Sequence, residues 1–170
     1  MEIIPAIDLL NGMCVRLNQG DYNKVTQFNA DPVAQALEWQ KAGASRIHLV
    51  DLDAAKTGNP VNDTKIQDIV KAINIPIQIG GGIRDSNRVA ELLKCGVDRV
   101  ILGTIAIEKP ELVKDLTKTY PHKIVVGIDA KDGKVATRGW VNQSDISSND
   151  LAKSLSNLNL AAIISTDIST

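Results

Sequence analysis

The stretch Ala6-Ile7-Asp8-Leu9-Leu10-Asn11-Gly12 returns 121 positions later as Gly127-Ile128-Asp129-Ala130-Lys131-Asp132-Gly133. A fainter echo pairs Val50-Asp51-Leu52 with Thr166-Asp167-Ile168. In each case a short aliphatic run ends in an aspartate. Self-similarity at a fixed offset is the mark of a duplicated architecture and has to be read before anything else.

Around these stretches, Ile- and Val-rich runs recur at Ile3–Ile7, Arg46–Leu52, Ile75–Ile79, Arg99–Leu102, Lys123–Ile128 and Ala161–Ile164. They are continuous rather than alternating, as strands covered on both faces of a parallel sheet should be. Helical patterns lie between most of them, at Asp31–Ala42, Asp63–Ala72, Asp85–Cys95, Lys109–Lys118 and Ser148–Leu158. The first has Pro32 at its opening and Gly43 at its close, which punctuates both ends. Repeated strand–helix units imply parallel strands. Such a chain could be an open doubly wound sheet or part of a closed barrel, and the repeat decides for the barrel. Four units precede the second copy, and two copies would fill about 240 residues, the size of a TIM (β/α)8 barrel. The chain reads as one partial α/β domain over residues 1–170, its first half-barrel spanning about 1–121 and the second beginning near 122. It is expected to be about six strand–helix units of an incomplete barrel, a truncated piece whose raw sheet edges favour self-association.

Composition excludes several classes. Apolar residues make up 44% and charged residues 23%, which excludes a disordered chain or a fibre. A net charge of −1 gives no basic surface for nucleic acid. Cys14 and Cys95 stand far apart among apolar neighbours, the pattern of reduced cytosolic thiols. His48 and His122 have no partner at metal-ligand spacing, so no metal is expected. Met1–Leu10 has neither a basic leader region nor a long apolar run, which predicts no signal peptide, no membrane span and a cytoplasmic location.

Ligands of a (β/α)8 barrel sit at the C-terminal ends of the strands. Asp8, Asp51, Asp129 and Asp167 each take that place. A single such Asp serves equally well to cap a turn, since a buried carboxylate needs partners. Asp8 and Asp129 are the stronger pair, because the first and fifth strands of eight face one another across the mouth. Two carboxylates in different environments can act as base and acid. Gly80-Gly81-Gly82-Ile83-Arg84 follows the third predicted strand, and one glycine would satisfy a tight turn. Three favour an anion cradle of backbone N–H groups, with Gly103 and Thr104 after the fourth strand adding to it. Arg16 either pairs a second anion or orients a carboxylate, or is a surface residue on a hairpin-like loop. Trp140 either stacks on a planar ring or anchors its loop. His48 reads as a core histidine within reach of Asp8.

These residues resemble a known family. Ile3-Ile4-Pro5-Ala6-Ile7-Asp8-Leu9, Val15-Arg16-Leu17 with Gln19-Gly20-Asp21-Tyr22, His48-Leu49-Val50-Asp51-Leu52-Asp53, Gly80 to Arg84 and Gly127-Ile128-Asp129 are similar, collinearly along the whole chain, to the phosphoribosyl isomerases of histidine biosynthesis. The sister synthase family has Cys-Leu-Asp where this chain has Ala6-Ile7-Asp8, and a Lys soon after that Leu9-Leu10-Asn11 does not supply. The resemblance implies an Amadori rearrangement of a bis-phosphorylated ribonucleotide by a monomeric parent enzyme. It makes Asp8 the proton acceptor and Asp129 the proton donor, and it requires no cofactor. Arg16, Gly81, Gly82, Arg84, Gly103, Thr104, Trp140, Thr166 and Asp167 are then substrate- and phosphate-binding candidates, with His48 and Asp51 in support. The family continues past Thr166-Asp167-Ile168 into a second phosphate site. The 170-residue piece is therefore expected to be inactive or nearly so. A parent that also takes the tryptophan-pathway substrate is the alternative, as is a non-catalytic, self-associating barrel fragment.

Overall fold

The computed structural model describes residues 1–137 and 142–168. The chain opens with β1 (Ala6–Leu10), β2 (Met13–Asn18), β3 (Asp21–Asn29) and α1 (Pro32–Lys41). It continues through β4 (Ile47–Asp51), α2 (Leu52–Thr57), α3 (Asp63–Ala72), β5 (Ile77–Gly80), α4 (Ser86–Cys95) and β6 (Arg99–Leu102). Then come α5 (Thr104–Glu108), α6 (Pro110–Thr119), β7 (Ile124–Lys131), β8 (Lys134–Thr137), β9 (Asn142–Ser147), α7 (Ser148–Leu155) and β10 (Ala162–Asp167).

The six aliphatic runs become parallel neighbours in the order β1-β4-β5-β6-β7-β10. This is the wall of an incomplete (β/α)8 barrel, with β7 separated from β1 by three strands. Two antiparallel excursions extend the sheet to ten strands, β2–β3 from the end of β1 and β8–β9 from the end of β7. Among the described residues no helix is long and apolar enough to cross a membrane.

Local chemistry sets the element ends. Asp31 Oδ1 accepts from the backbone N–H groups of Val33 and Ala34 at 3.0 and 3.2 Å, so α1 starts on a capped turn with Pro32 in its first position. Asp85 does the same for α4 through Arg88 N at 2.9 Å, and Gly96 closes that helix at φ 108°. β1 and β5 begin later than the aliphatic runs suggest, at Ala6 and Ile77 rather than Ile3 and Ile75. Pro5 and Pro76 precede them and have no N–H for the ladder; their carbonyls still accept from His48 N and Ile47 N, both at 3.0 Å.

The sheet has two unlike faces. Ile7, Leu9, Ile47, Leu49, Ile79, Val100, Leu102, Val126 and Ile128 pack against the buried helix positions Ala36, Ile66, Ile69, Val89, Leu92, Val113 and Leu116 in one core. The alternate residues line the other face. Register carries that face from Asp8 to Val50, to Gly80, across to Ile101 and on to Val125.

At the N-terminal ends of the strands, Asp98 holds Arg46 (2.6 Å) and Lys123 (2.7 Å), joining the starts of β4, β6 and β7. Burial works to raise the Asp98 pKa. The hydrogen bonds and charges of Lys123 and Arg46 outweigh it and hold the carboxyl below its ordinary range.

Candidate functional site

The C-terminal ends of the parallel strands gather Asp8, Asp51, the Gly80–Gly82 run, Gly103 with Thr104, Asp129, and Thr166 with Asp167. Which face each side chain takes follows from the two-residue period of a strand. Asp8 alternates with the fully buried Ile7 and Leu9, and Asp129 follows Ile128, so both aspartates lie on the face turned from the helices. His48 shares that face, as does Thr166, which stands beside Asp129 in the β10–β7 ladder.

The stagger of the strands sets the relative height of the two aspartates. Following the register sideways from Asp8 leads to Val125, four residues short of Asp129. An eight-strand barrel of shear 8 gains about one residue per strand, so about four over the four steps from β1 to β7. In a barrel of that stagger, this register puts Asp8 and Asp129 at about the same height.

Asp8 is half-buried, and burial raises its pKa; the Arg16 charge pulls the other way and only partly offsets this. Arg16, exposed, sits on β2 next to Val15, the antiparallel partner of Asp8. Gln78, 5% exposed, donates through Nε2 to His48 Nδ1 at 2.9 Å. That bond leaves His48 Nε2 as the protonated nitrogen, and burial lowers the His48 pKa.

Asp51 behaves differently. At 1% exposure it belongs to the helix side of β4 and caps α2, its Oδ1 accepting from Ala54 N at 3.0 Å and Asn62 Nδ2 at 2.8 Å. Burial pushes its pKa up. The turn-capping reading of this aspartate is the one the geometry supports.

The glycine run has a steric explanation for every member. A Cβ on Gly80 would press on Ile101 Cβ at 3.3 Å. Gly81 (φ 107°) and Gly82 (φ 66°) hold left-handed conformations, where a Cβ would strike the carbonyl oxygens of Asp51 and Ala54. Gly81 and Gly82 are therefore required by backbone and packing and Gly80 sits in a tight contact, so the number of glycines alone does not argue for an anion. Gly103, by contrast, is exposed with nothing within 4 Å of its Cβ position, so the end of β6 is open to a ligand. Arg84 is exposed and lies against Gly58. Asp167 is exposed and on the helix side of β10. Trp140 lies outside the described residues.

Three residues near Asp8 carry roles that the motif reading did not assign. Tyr22 O–H donates to Leu52 O at 3.0 Å, with Lys56 Nζ 4.9 Å from its ring centroid. Burial raises the Tyr22 pKa, and the charges of Asp53, Asp51 and Asp8 add to the rise. Asn62, 2% exposed, and Asp53 hold the turn after β1. A polar residue just before a predicted helix reads as a cap, which concealed Asn62. Among the described residues no cluster of three or more His, Cys, Asp or Glu is disposed to hold a metal.

A partial (β/α)8 barrel with paired inward aspartates at the strand ends is the class these features define. The chain belongs to the histidine biosynthesis protein family, whose model matches residues 2–170. It is 71% identical over its full length to the 1-(5-phosphoribosyl)-5-((5-phosphoribosylamino)methylideneamino) imidazole-4-carboxamide isomerase of Prochlorococcus marinus strain NATL2A. Proteins of the same name from strain NATL1A and from Parasynechococcus marenigrum strain WH8102 are 70% and 63% identical over all 170 residues. The chain spans 66% of the first two relatives and 67% of the third.

Proposed function

We propose that this chain supplies the acid–base half of an aldose–ketose isomerase in histidine biosynthesis. The substrate is the bis-phosphorylated aminoimidazole carboxamide ribonucleotide that carries an N-linked phosphoribosyl group. The relatives' name supplies that chemistry: an isomerase acting on a molecule with two 5-phosphoribosyl groups, one attached through an amino nitrogen.

The observation that supports the reading is the register, which carries Asp8 over four strand steps to Val125, four residues short of Asp129, the stagger expected of two strand-end residues level in an eight-strand barrel. In the first step Asp129 gives a proton to the furanose ring oxygen as the C1–O bond breaks. The nitrogen lone pair forms the C1=N bond of a Schiff base. Asp8 then takes the proton from C2, and the C2–H electrons move into the C1=N system to give an enaminol. Return of a proton to C1 and loss of the O2 proton give the ketose. The protonated imine is the electron sink, so the cycle asks only for one base and one acid. A partly buried carboxylate with a raised pKa is a stronger base than one in water, which suits Asp8 to a carbon acid.

In this reading Gly103 and Thr104, at the open end of β6, receive one phosphate, and Arg16 meets a second anion near Asp8. Thr166, adjacent to Asp129, is suited to hold a sugar hydroxyl.

Asp8→Asn and Asp129→Asn in the full-length protein test this. Each is expected to lower kcat about a thousandfold or more, with substrate affinity within about tenfold, the range for loss of a general acid or base. Normal turnover in either variant removes the role given to that residue.

A further inference from the structure

We propose that Asn62 and Asp53 are positioning residues for Asp8, holding the turn that follows it so that β1 and β2 keep their alignment at the reacting carboxylate. The inference rests on the reading of Asp8 as the base.

Asn62 stands immediately before α3, yet its side chain makes no capping bond to that helix. Its amide is committed elsewhere. Nδ2 donates to Asp51 Oδ1 and to Asp53 Oδ2, both at 2.8 Å, and Oδ1 accepts from Gly12 N at 2.9 Å. Asp53 Oδ2 also accepts from Asn11 N at 2.7 Å. Both N–H groups of the Asn11-Gly12 turn therefore go to side chains 42 and 50 positions away.

That turn has φ 51° and 75° at its two central residues, the type I′ geometry that an Asn-Gly pair favours unaided. The two contacts are not needed to shape the turn, so their effect is to fix where it sits. Its position matters because Asp8 lies three residues before Asn11 and pairs with Val15 on β2 and Val50 on β4. Arg16, the cation that acts on Asp8, rides on β2. Leu9, the next residue, pairs with Asp51, itself an Asn62 partner. The network thus ties the end of β1 to β4 and the start of β2 to the α2–α3 loop. An error of about 1 Å in a catalytic group can cost on the order of a hundredfold in rate.

The test is kinetics of Asn62→Ala and Asp53→Ala in the full-length protein, with Asp8→Asn in parallel. We expect Asn62→Ala to lower kcat about tenfold or more while KM stays within about threefold, because orientation rather than affinity is lost. Asp53→Ala should act in the same direction with a smaller loss. The acid limb of kcat/KM should move to higher pH in both, as Asp8 loses alignment with Arg16. Of the other titratable groups on the neighbouring strands, His48 on β4 is bonded to neither residue, whereas Asp53→Ala also removes a charge that raises the Tyr22 pKa on β3, so Asn62→Ala is the cleaner variant for the acid limb. A folded Asn62→Ala protein with kcat within about twofold of the parent and an unmoved acid limb overturns the inference. If Asn62→Ala does not fold, Asp53→Ala, half-exposed at the turn, decides by the same criteria. If Asp8→Asn abolishes turnover while both variants stay parent-like, only the positioning role is lost. If Asp8→Asn keeps normal turnover, the base assignment fails and this inference fails with it.

Discussion

The β1–β2 hairpin and the β7–β8 hairpin are the same device built twice. Each follows an inward aspartate, and each turns on an Asx-Gly pair: Asn11 and Gly12 at φ 51° and 75°, Asp132 and Gly133 at φ 52° and 75°. Each closes on equivalent pairs, Leu10 with Met13 and Lys131 with Lys134. Their anchors differ. The first turn is held across to the next unit by Asp53 and Asn62, whereas Gly133 O accepts from Ser148 N (3.0 Å) at the start of its own following helix. The backbone of a duplicated site is thus set locally, by turn chemistry that survives sequence drift. The anchors of the two turns come from partners outside them and differ between the copies.

The equivalence can be broken at the glycines, where the largest effect is expected. Gly12→Ala and Gly133→Ala should each destabilise the full-length protein by about 1–2 kcal/mol, the cost of a Cβ in the left-handed region. The Cβ positions themselves are open: the nearest atom to that of Gly12 is Lys65 Cγ at 3.9 Å, and nothing lies within 4 Å of that of Gly133. Unfolding free energies from denaturant titration that differ between the two variants by more than about 1 kcal/mol would show that the turns are not alike. A smaller effect sharpens the difference in electrostatics. Asp8 must be ionised to act as a base, so kcat/KM should fall as pH drops through its raised pKa. Removing the Arg16 charge raises that pKa further, and Arg16→Gln should move the acid limb to higher pH. An unmoved or lowered limb would mean that Arg16 does not act on Asp8.

Much of this was legible in the residues. The Ile/Val runs located all six parallel strands, because strands covered on both faces leave a continuous apolar signature. The five longer helices were marked by their caps and prolines. What escaped was short or polar. β3 (Asp21–Asn29) is mostly exposed and has no apolar alternation to betray it, and α2 and α5, at six and five residues, are below the length at which helical periodicity shows. The Asp8–Asp129 pair could be read as a repeat, but Asp51 shares the same motif position and its side chain turns to the helix layer. A residue's face follows from the register of its strand, which pairs Val50 with Asp8 and Asp51 with the buried Leu9. Asn62 carried no signal, since its partners lie 9, 11 and 50 positions off.

The most direct measurement is a crystal structure of the full-length protein holding an open-chain bis-phosphorylated analogue of the substrate. Asp8 should lie beside the sugar C2 and Asp129 beside the oxygen released from the ring, each at about 2.6–3.2 Å from the atom or proton-bearing group it serves. A bound sugar that meets only one of the two carboxylates, or lies on the helix side of the strand ends, would contradict the pairing of Asp8 with Asp129 across a single pocket.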